Sequence, residues 1–202
     1  MIIILMVVVF FNKSSQEQDI IIGSVNGEMI YQSEYDSELS RLPAPFQEQV
    51  SRETIISRVV ERKLLLQKAE QAGIKEEDVV AEVIKNNNLT EKELNIVLQR
   101  QGITMKRFEE NLEIQEFIKQ SLLSNISVSD KEIQEYYNRN NSNNNYNNSA
   151  AGLDEDKNSS AIIKQIILEE KQKEVYESYI QDLGSEANII DCVEKPEADI
   201  CS

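Results

Sequence analysis

Side chains suited to chemistry are scarce in this chain. None of its 202 residues is histidine, which excludes an imidazole base, a serine or cysteine triad and the common zinc sites. The two cysteines, Cys192 and Cys201, stand nine apart in "DCVEKPEADICS". Without His or further Cys they make no metal-site pattern. Asp154-Glu155-Asp156-Lys157-Asn158 opens as a calcium loop does. Ser159 then takes the sixth position, where the turn needs Gly, and Gln165 the twelfth, where a bidentate Glu is needed. Paired acids such as Glu76-Glu77 and Glu109-Glu110 read as solvated charge on helix faces, with nothing in the sequence to bury one and raise its pKa. No catalytic, cofactor-binding or metal-binding residue is assigned.

What remains is chemistry of contact. Tyr136, Tyr137 and Tyr146 are candidates for touching a polypeptide ligand, although half-buried packing competes as an explanation for the first two. Acidic residues number 36 against 21 basic, a net charge of −15. Such a surface disfavours nucleic acid, which requires a basic footprint. The opening run "IIILMVVVFF" (residues 2–11) would make a helix about 15 Å long, roughly half a bilayer's hydrocarbon core. It lacks a basic n-region and a small-residue cleavage site, but its length suits a secretory signal or a signal anchor that starts upstream. Residues 1–18 are therefore read as this segment and a polar linker, giving an extracytoplasmic protein with contact to a membrane through its N-terminus. In that compartment Cys192 and Cys201 are expected to form a disulfide.

The elements between these features are mostly helical. "DIIIGSVNGEMI" is β-branched, with Asn26-Gly27 as a type I′ turn signal. A short helix capped by Ser33 ends near Pro43 and Pro45. "FQEQVSRETIISRVVERKLLLQKAEQA" reads as one long amphipathic helix with charge on its outer face, closed by Gly73. Thr90-x-x-Glu93 and Ser129-x-x-Glu132 are capping boxes, and Thr104 opens "MKRFEENLEIQEFIKQSLL". Eight of the eleven residues 138–148 are Asn, and low hydrophobicity predicts disorder there. Ser160 then caps a long helix that Gly184 ends, and "ANIIDCV" reads as a terminal strand. A lone strand at each end must find a partner, so regions 20–25 and 187–193 are expected to pair. The predicted fold is mainly α, with a small two-stranded sheet joining the N- and C-terminal strands.

These elements resemble a family. "VNGEMIYQSEYDSEL", "RETIISRVVERKLLLQKAEQAGI", "LTEKELNIVLQRQGITMKRFEENLEIQEFIKQSLL" and "VSDKEIQEYYNRN" are similar to the N-terminal chaperone domain of SurA-type and PrsA-type foldases. "IIKQIILEEKQKEVYESYIQDLGSEANII" resembles the helix and strand that complete it. Such proteins commonly carry a parvulin-type prolyl isomerase domain between these pieces, with active-site His residues. The resemblance implies that 19–138 and 161–193 build one chaperone domain, that 139–160 is a linker in place of the parvulin domain, and that 194–202 is a tail. It implies a non-enzymatic chaperone without cofactors, whose partners are unfolded or nascent exported polypeptides. The alternatives are a membrane-tethered helical scaffold for one defined partner, and an isomerase-related protein.

Overall fold

The computed structural model describes residues 19–142 and 157–201. Strands β1 (Ile21–Val25) and β2 (Glu28–Tyr31) form a hairpin. Asn26 at φ 52° and Gly27 at φ 85° supply the two left-handed positions of a type I′ turn. Strand β3 (Ile189–Asp191) adds antiparallel to the other side of β1, with Gly23 opposite Asp191. The Cys192 N–H donates to the Ile22 carbonyl at 3.0 Å, and the Asn26 N–H to that of Asn188 at 2.9 Å. The two ends of the chain therefore do pair. The sheet has three strands, in the order β2-β1-β3, rather than two. The tight turn doubles the N-terminal strand back on itself, which the two-strand expectation did not count.

Eight helices follow among the described residues: α1 (Gln32–Ser40), α2 (Ala44–Gln47), α3 (Arg52–Gln71), α4 (Glu76–Asn86), α5 (Glu91–Arg100), α6 (Met105–Phe117), α7 (Asp130–Ser142) and α8 (Lys157–Glu186). A π-helical stretch, Ile118–Leu123, continues α6. Both capping boxes form. Thr90 Oγ1 accepts from the Glu93 N–H at 3.3 Å, and the Ser129 N–H donates to the Glu132 carboxylate at 2.9 Å.

Four boundaries differ from the sequence reading. Ser33 does not cap the first helix, because α1 starts at Gln32 with Tyr31 as its N-cap, and the Tyr31 N–H donates to the Glu34 carboxylate at 2.9 Å. The long helix does not begin near Phe46, because Ser51 is extended and its Oγ accepts the Thr54 N–H, starting α3 afresh. Gly184 does not end α8, which runs to Glu186. Leu183 is buried and Ala187 packs against the core, and this tertiary anchorage outweighs a glycine cost of about 1 kcal/mol. Helix α7 reaches Ser142 and α8 starts at Lys157, so the proposed linker 139–160 is helical at both ends and Ser160 is not the cap. Residues 143–156 lie outside the described residues, as do segment 1–18 and Tyr146. Only 143–156 separate α7 from α8, so no parvulin domain is inserted there.

The core lies where α3 crosses the sheet. Val25 and Ile30 from the sheet meet Ile56, Val59, Val60, Leu64, Leu65 and Ala69 from α3, closed by Phe117 of α6 and Leu183 of α8. The Phe117 and Tyr179 rings pack with centroids 6.0 Å apart. Helix α8 therefore contributes to the N-terminal core with its last turns, while its outer half packs on α7.

Beyond β3 the tail folds back so that a 3₁₀ turn, Asp199–Cys201, lies against β1. The Cys192 and Cys201 sulfurs are bonded, with Cα atoms 5.4 Å apart. Reduction, or a Cys192→Ser/Cys201→Ser variant, should cost about 2–3 kcal/mol on the loop-entropy account. Urea midpoints with and without reductant measure this. Two alkylatable thiols in the native protein would rule the bridge out.

Candidate functional site

Four helices wall a groove of about 550 Å³. On α3 the lining residues Arg58, Glu61, Arg62 and Leu65 recur at i, i+3, i+4 and i+7, so they share one face of the helix. On α6, Arg107, Asn111 and Ile114 do the same. The end of α1 contributes Glu38, Arg41 and Leu42, and α8 contributes Tyr176. Leu42, Ile114 and the Tyr176 ring give the groove its apolar surface above the buried Leu65, and guanidinium groups stand around it.

The walls are fastened by charged contacts across helices. Arg62 pairs with Glu110 and also donates to Asn111 Oδ1 at 2.7 Å, joining α3 to α6. Arg107 pairs with the buried Glu38, joining α6 to α1. Burial pushes the Arg107 pKa down from its ordinary value, and the Arg107 Nε is buried without a hydrogen-bond partner. The Tyr176 hydroxyl donates to Glu61 at 2.5 Å, joining α8 to α3. Burial and then this bond push the Tyr176 phenol well above its ordinary range, so it stays protonated as a donor.

A smaller cavity of about 260 Å³ adjoins the groove and shares Glu38, Arg62 and Arg107 with it. Here the buried Lys63 Nζ bridges Glu28 and Glu34, each at 2.8 Å. Burial opposes its charge, but the two carboxylates outweigh burial and raise its pKa. Burial likewise works to raise the Glu28 carboxyl, whereas Lys63 and Gln67 bring it below its ordinary value.

The tyrosines singled out from sequence lie elsewhere. Tyr136 is half-buried and Tyr137 exposed on α7, and neither lines the groove. Helix α7 is tied to α8 by Lys171, whose Nζ meets Glu132 at 2.5 Å and donates to the Ser127 carbonyl at 2.8 Å. The lysine and the Ser129 cap hold the Glu132 carboxyl at about 2. Exposed apolar side chains are scattered: Phe46 on α2, Ile96 and Val97 on α5, Ile162 and Val175 on α8.

The acidic pairs are less bland than the sequence suggested. Burial, then the Glu76 charge, raises the pKa of Glu109 and of Glu113. Both stand on α6, which packs against α4, a proximity that the sequence cannot show. No group among the described residues could hold a metal ion, and no helix among them is long and apolar enough to cross a membrane. The groove arginines were missed because Arg58 and Arg62 sit on the face of α3 that reads as solvated. The available signal was their recurrence with Glu61 and Leu65 at one-turn spacing.

Comparison with known proteins agrees with this architecture. The SurA-like N-terminal domain family matches residues 1–123. The Chaperone SurA of Alcanivorax borkumensis is 26% identical over 150 residues, covering 66% of this chain and 34% of that protein. The chain thus matches about a third of that relative's length. A solved chain of a SurA-like chaperone from Campylobacter jejuni superposes with a TM-score of 0.55 at 12% identity, covering 85% of this chain and 98% of that one. At that identity the likeness speaks for the fold alone, which includes the return of the C-terminal helix beyond residue 123. The chain belongs to the SurA-like N-terminal domain family.

Proposed function

We propose that this protein is an extracytoplasmic, non-catalytic chaperone that holds unfolded or partly folded polypeptide segments in the groove between α1, α3, α6 and α8. The observation that carries this reading is the groove itself. It combines apolar area from the half-buried Leu42, Ile114 and Tyr176 with walls cross-braced by ion pairs. A binding surface for many sequences needs accessible apolar area more than a placed catalytic group. Family membership supports polypeptide as the ligand class. The apolar run at 2–11 and the Cys192–Cys201 bond support an oxidising compartment outside the cytoplasm. Membrane attachment through residues 2–11 belongs to the same proposal.

The test is aggregation of several unrelated unfolded proteins, followed by light scattering with and without the chain. Suppression of most of them at near-stoichiometric ratio is the expected result. Protection of one protein only would favour a scaffold for a defined partner, and protection of none would overturn the reading. Measurable prolyl isomerisation would contradict the non-catalytic assignment.

A further inference from the structure

We propose that the groove selects client segments carrying a side-chain carboxylate next to an apolar side chain. This rests on the polypeptide-binding reading above and adds to it the chemistry of the preferred segment. The charge balance of the groove carries the inference. The chain as a whole is at −15, yet Arg41, Arg58, Arg62 and Arg107 outnumber Glu38 and Glu61 along this one groove.

The acceptors are largely used within the protein, as are Arg62 and Arg107, whereas Arg58 and Arg41 are left with donors to spare. Glu38 takes Arg107, and Glu61 takes the Tyr176 hydroxyl. Arg62 is engaged by Glu110 and Asn111. Arg58 makes no ion pair or hydrogen bond with any described residue, and Arg41 has only a 3.9 Å contact with Glu38 while its side chain is 54% exposed. The groove therefore offers guanidinium donors at its rim, with Leu42 and Leu65 among its lining residues.

A guanidinium fork matches a carboxylate in a bidentate geometry, which a neutral amide reproduces poorly and an ammonium opposes. The general negative charge of the chain works against an acidic ligand at long range. That field is screened beyond about 8 Å at physiological ionic strength, so the arginines in direct contact decide the preference. The result is a chaperone that repels acidic chains at a distance and still grips an acidic, apolar segment once it is seated. The selectivity should therefore weaken as salt is raised.

The experiment uses the full chain and three unstructured, fluorescently labelled peptides with the same Leu and Phe content, in which the residue beside each apolar side chain is Glu, Gln or Lys. Anisotropy titration should show the Glu peptide binding roughly five- to tenfold more tightly than the Gln peptide, with the Lys peptide weakest. Arg41→Glu/Arg58→Glu should erase or invert that order. Its thermal melt should match the wild type because both side chains lie at the surface, and Arg58→Gln serves as a milder second variant. Equal binding of Glu and Gln peptides would overturn the proposal, as would a Glu preference that survives in both variants. Suppressed aggregation with no Glu preference sinks the selectivity alone. A Glu preference with no suppression of aggregation sinks the chaperone reading and leaves the selectivity standing.

Discussion

Gly23→Val should be among the most damaging single substitutions in the protein, with an expected loss of about 3–4 kcal/mol. A Cβ at position 23 would stand 2.4 Å from the Ile190 carbonyl oxygen and 3.6 Å from the Asp191 Cα. Both are backbone atoms of the strand that β1 must pair with, so no flexible side chain can move aside. Either the β1–β3 ladder opens or the strand shifts, and a shift would dislodge the neighbouring Val25 from a fully buried position. Gly27→Ala makes the informative contrast. There the new Cβ meets nothing within 4 Å, and the cost comes only from holding φ at 85°, about 1 kcal/mol. Urea denaturation of both variants, with amide exchange at Ile189–Asp191, tests the difference. Equal midpoints for the two variants would contradict this account of Gly23.

Lys63→Ala should cost about 2–3 kcal/mol. Removing one partner of a buried ion pair typically costs about 3–5 kcal/mol. The lower figure applies here because the Glu28 and Glu34 side chains keep 48% and 35% of their exposure and water can partly replace the lysine. Lys63→Met keeps the aliphatic stem and separates packing from charge, so it should recover a minor part of the loss. Adding Glu28→Gln and Glu34→Gln should recover more, since no uncompensated carboxylates then remain. The Glu28 carboxyl is held below its ordinary 4.5 in the folded protein. Its share of stability is therefore present above that pH and fades as pH falls through the folded value. Denaturant midpoints measured from neutral to acid pH should show a flatter acid limb in the Lys63 variants. A Lys63→Ala midpoint within error of wild type would contradict the bridging role.

The fold was legible where its determinants are local. Thr90, Ser129 and Thr104 announce their helices because each cap satisfies N–H groups within three residues. Asn26-Gly27 announces the hairpin because few other pairs tolerate two left-handed residues in a row. The pairing of β1 with β3 followed from the same logic one level up, since neither strand is viable alone. Most of what failed depended on neighbours distant in sequence. Gly184 looks like a stop until Leu183 and Ala187 are seen anchored on either side. Arg62 looks like solvent-facing charge until Glu110 and Asn111 of α6 meet it, whereas Arg58 does stay exposed and is noticed only as part of the groove lining. Ser51 was a local signal overlooked, because the apolar pattern of α3 extends back through Phe46 and conceals the break.

The place of β1 between its two partners imposes an order of assembly. A chain that emerges N-terminus first, from a ribosome or through a translocation pore, presents β1, β2 and α3 together. The Asn188 N–H that bonds to the Asn26 side chain is 162 positions away. Until it arrives, one edge of the central strand stays open and the core under it lacks Leu183. Closing so wide a separation in sequence is slow compared with forming helices. During that interval the protein exposes an unpaired strand, the same hazard its proposed clients present. That interval covers most of the chain's own synthesis, and while it lasts the open edge of β1 is the kind of surface that the proposed function would have this protein hold in others.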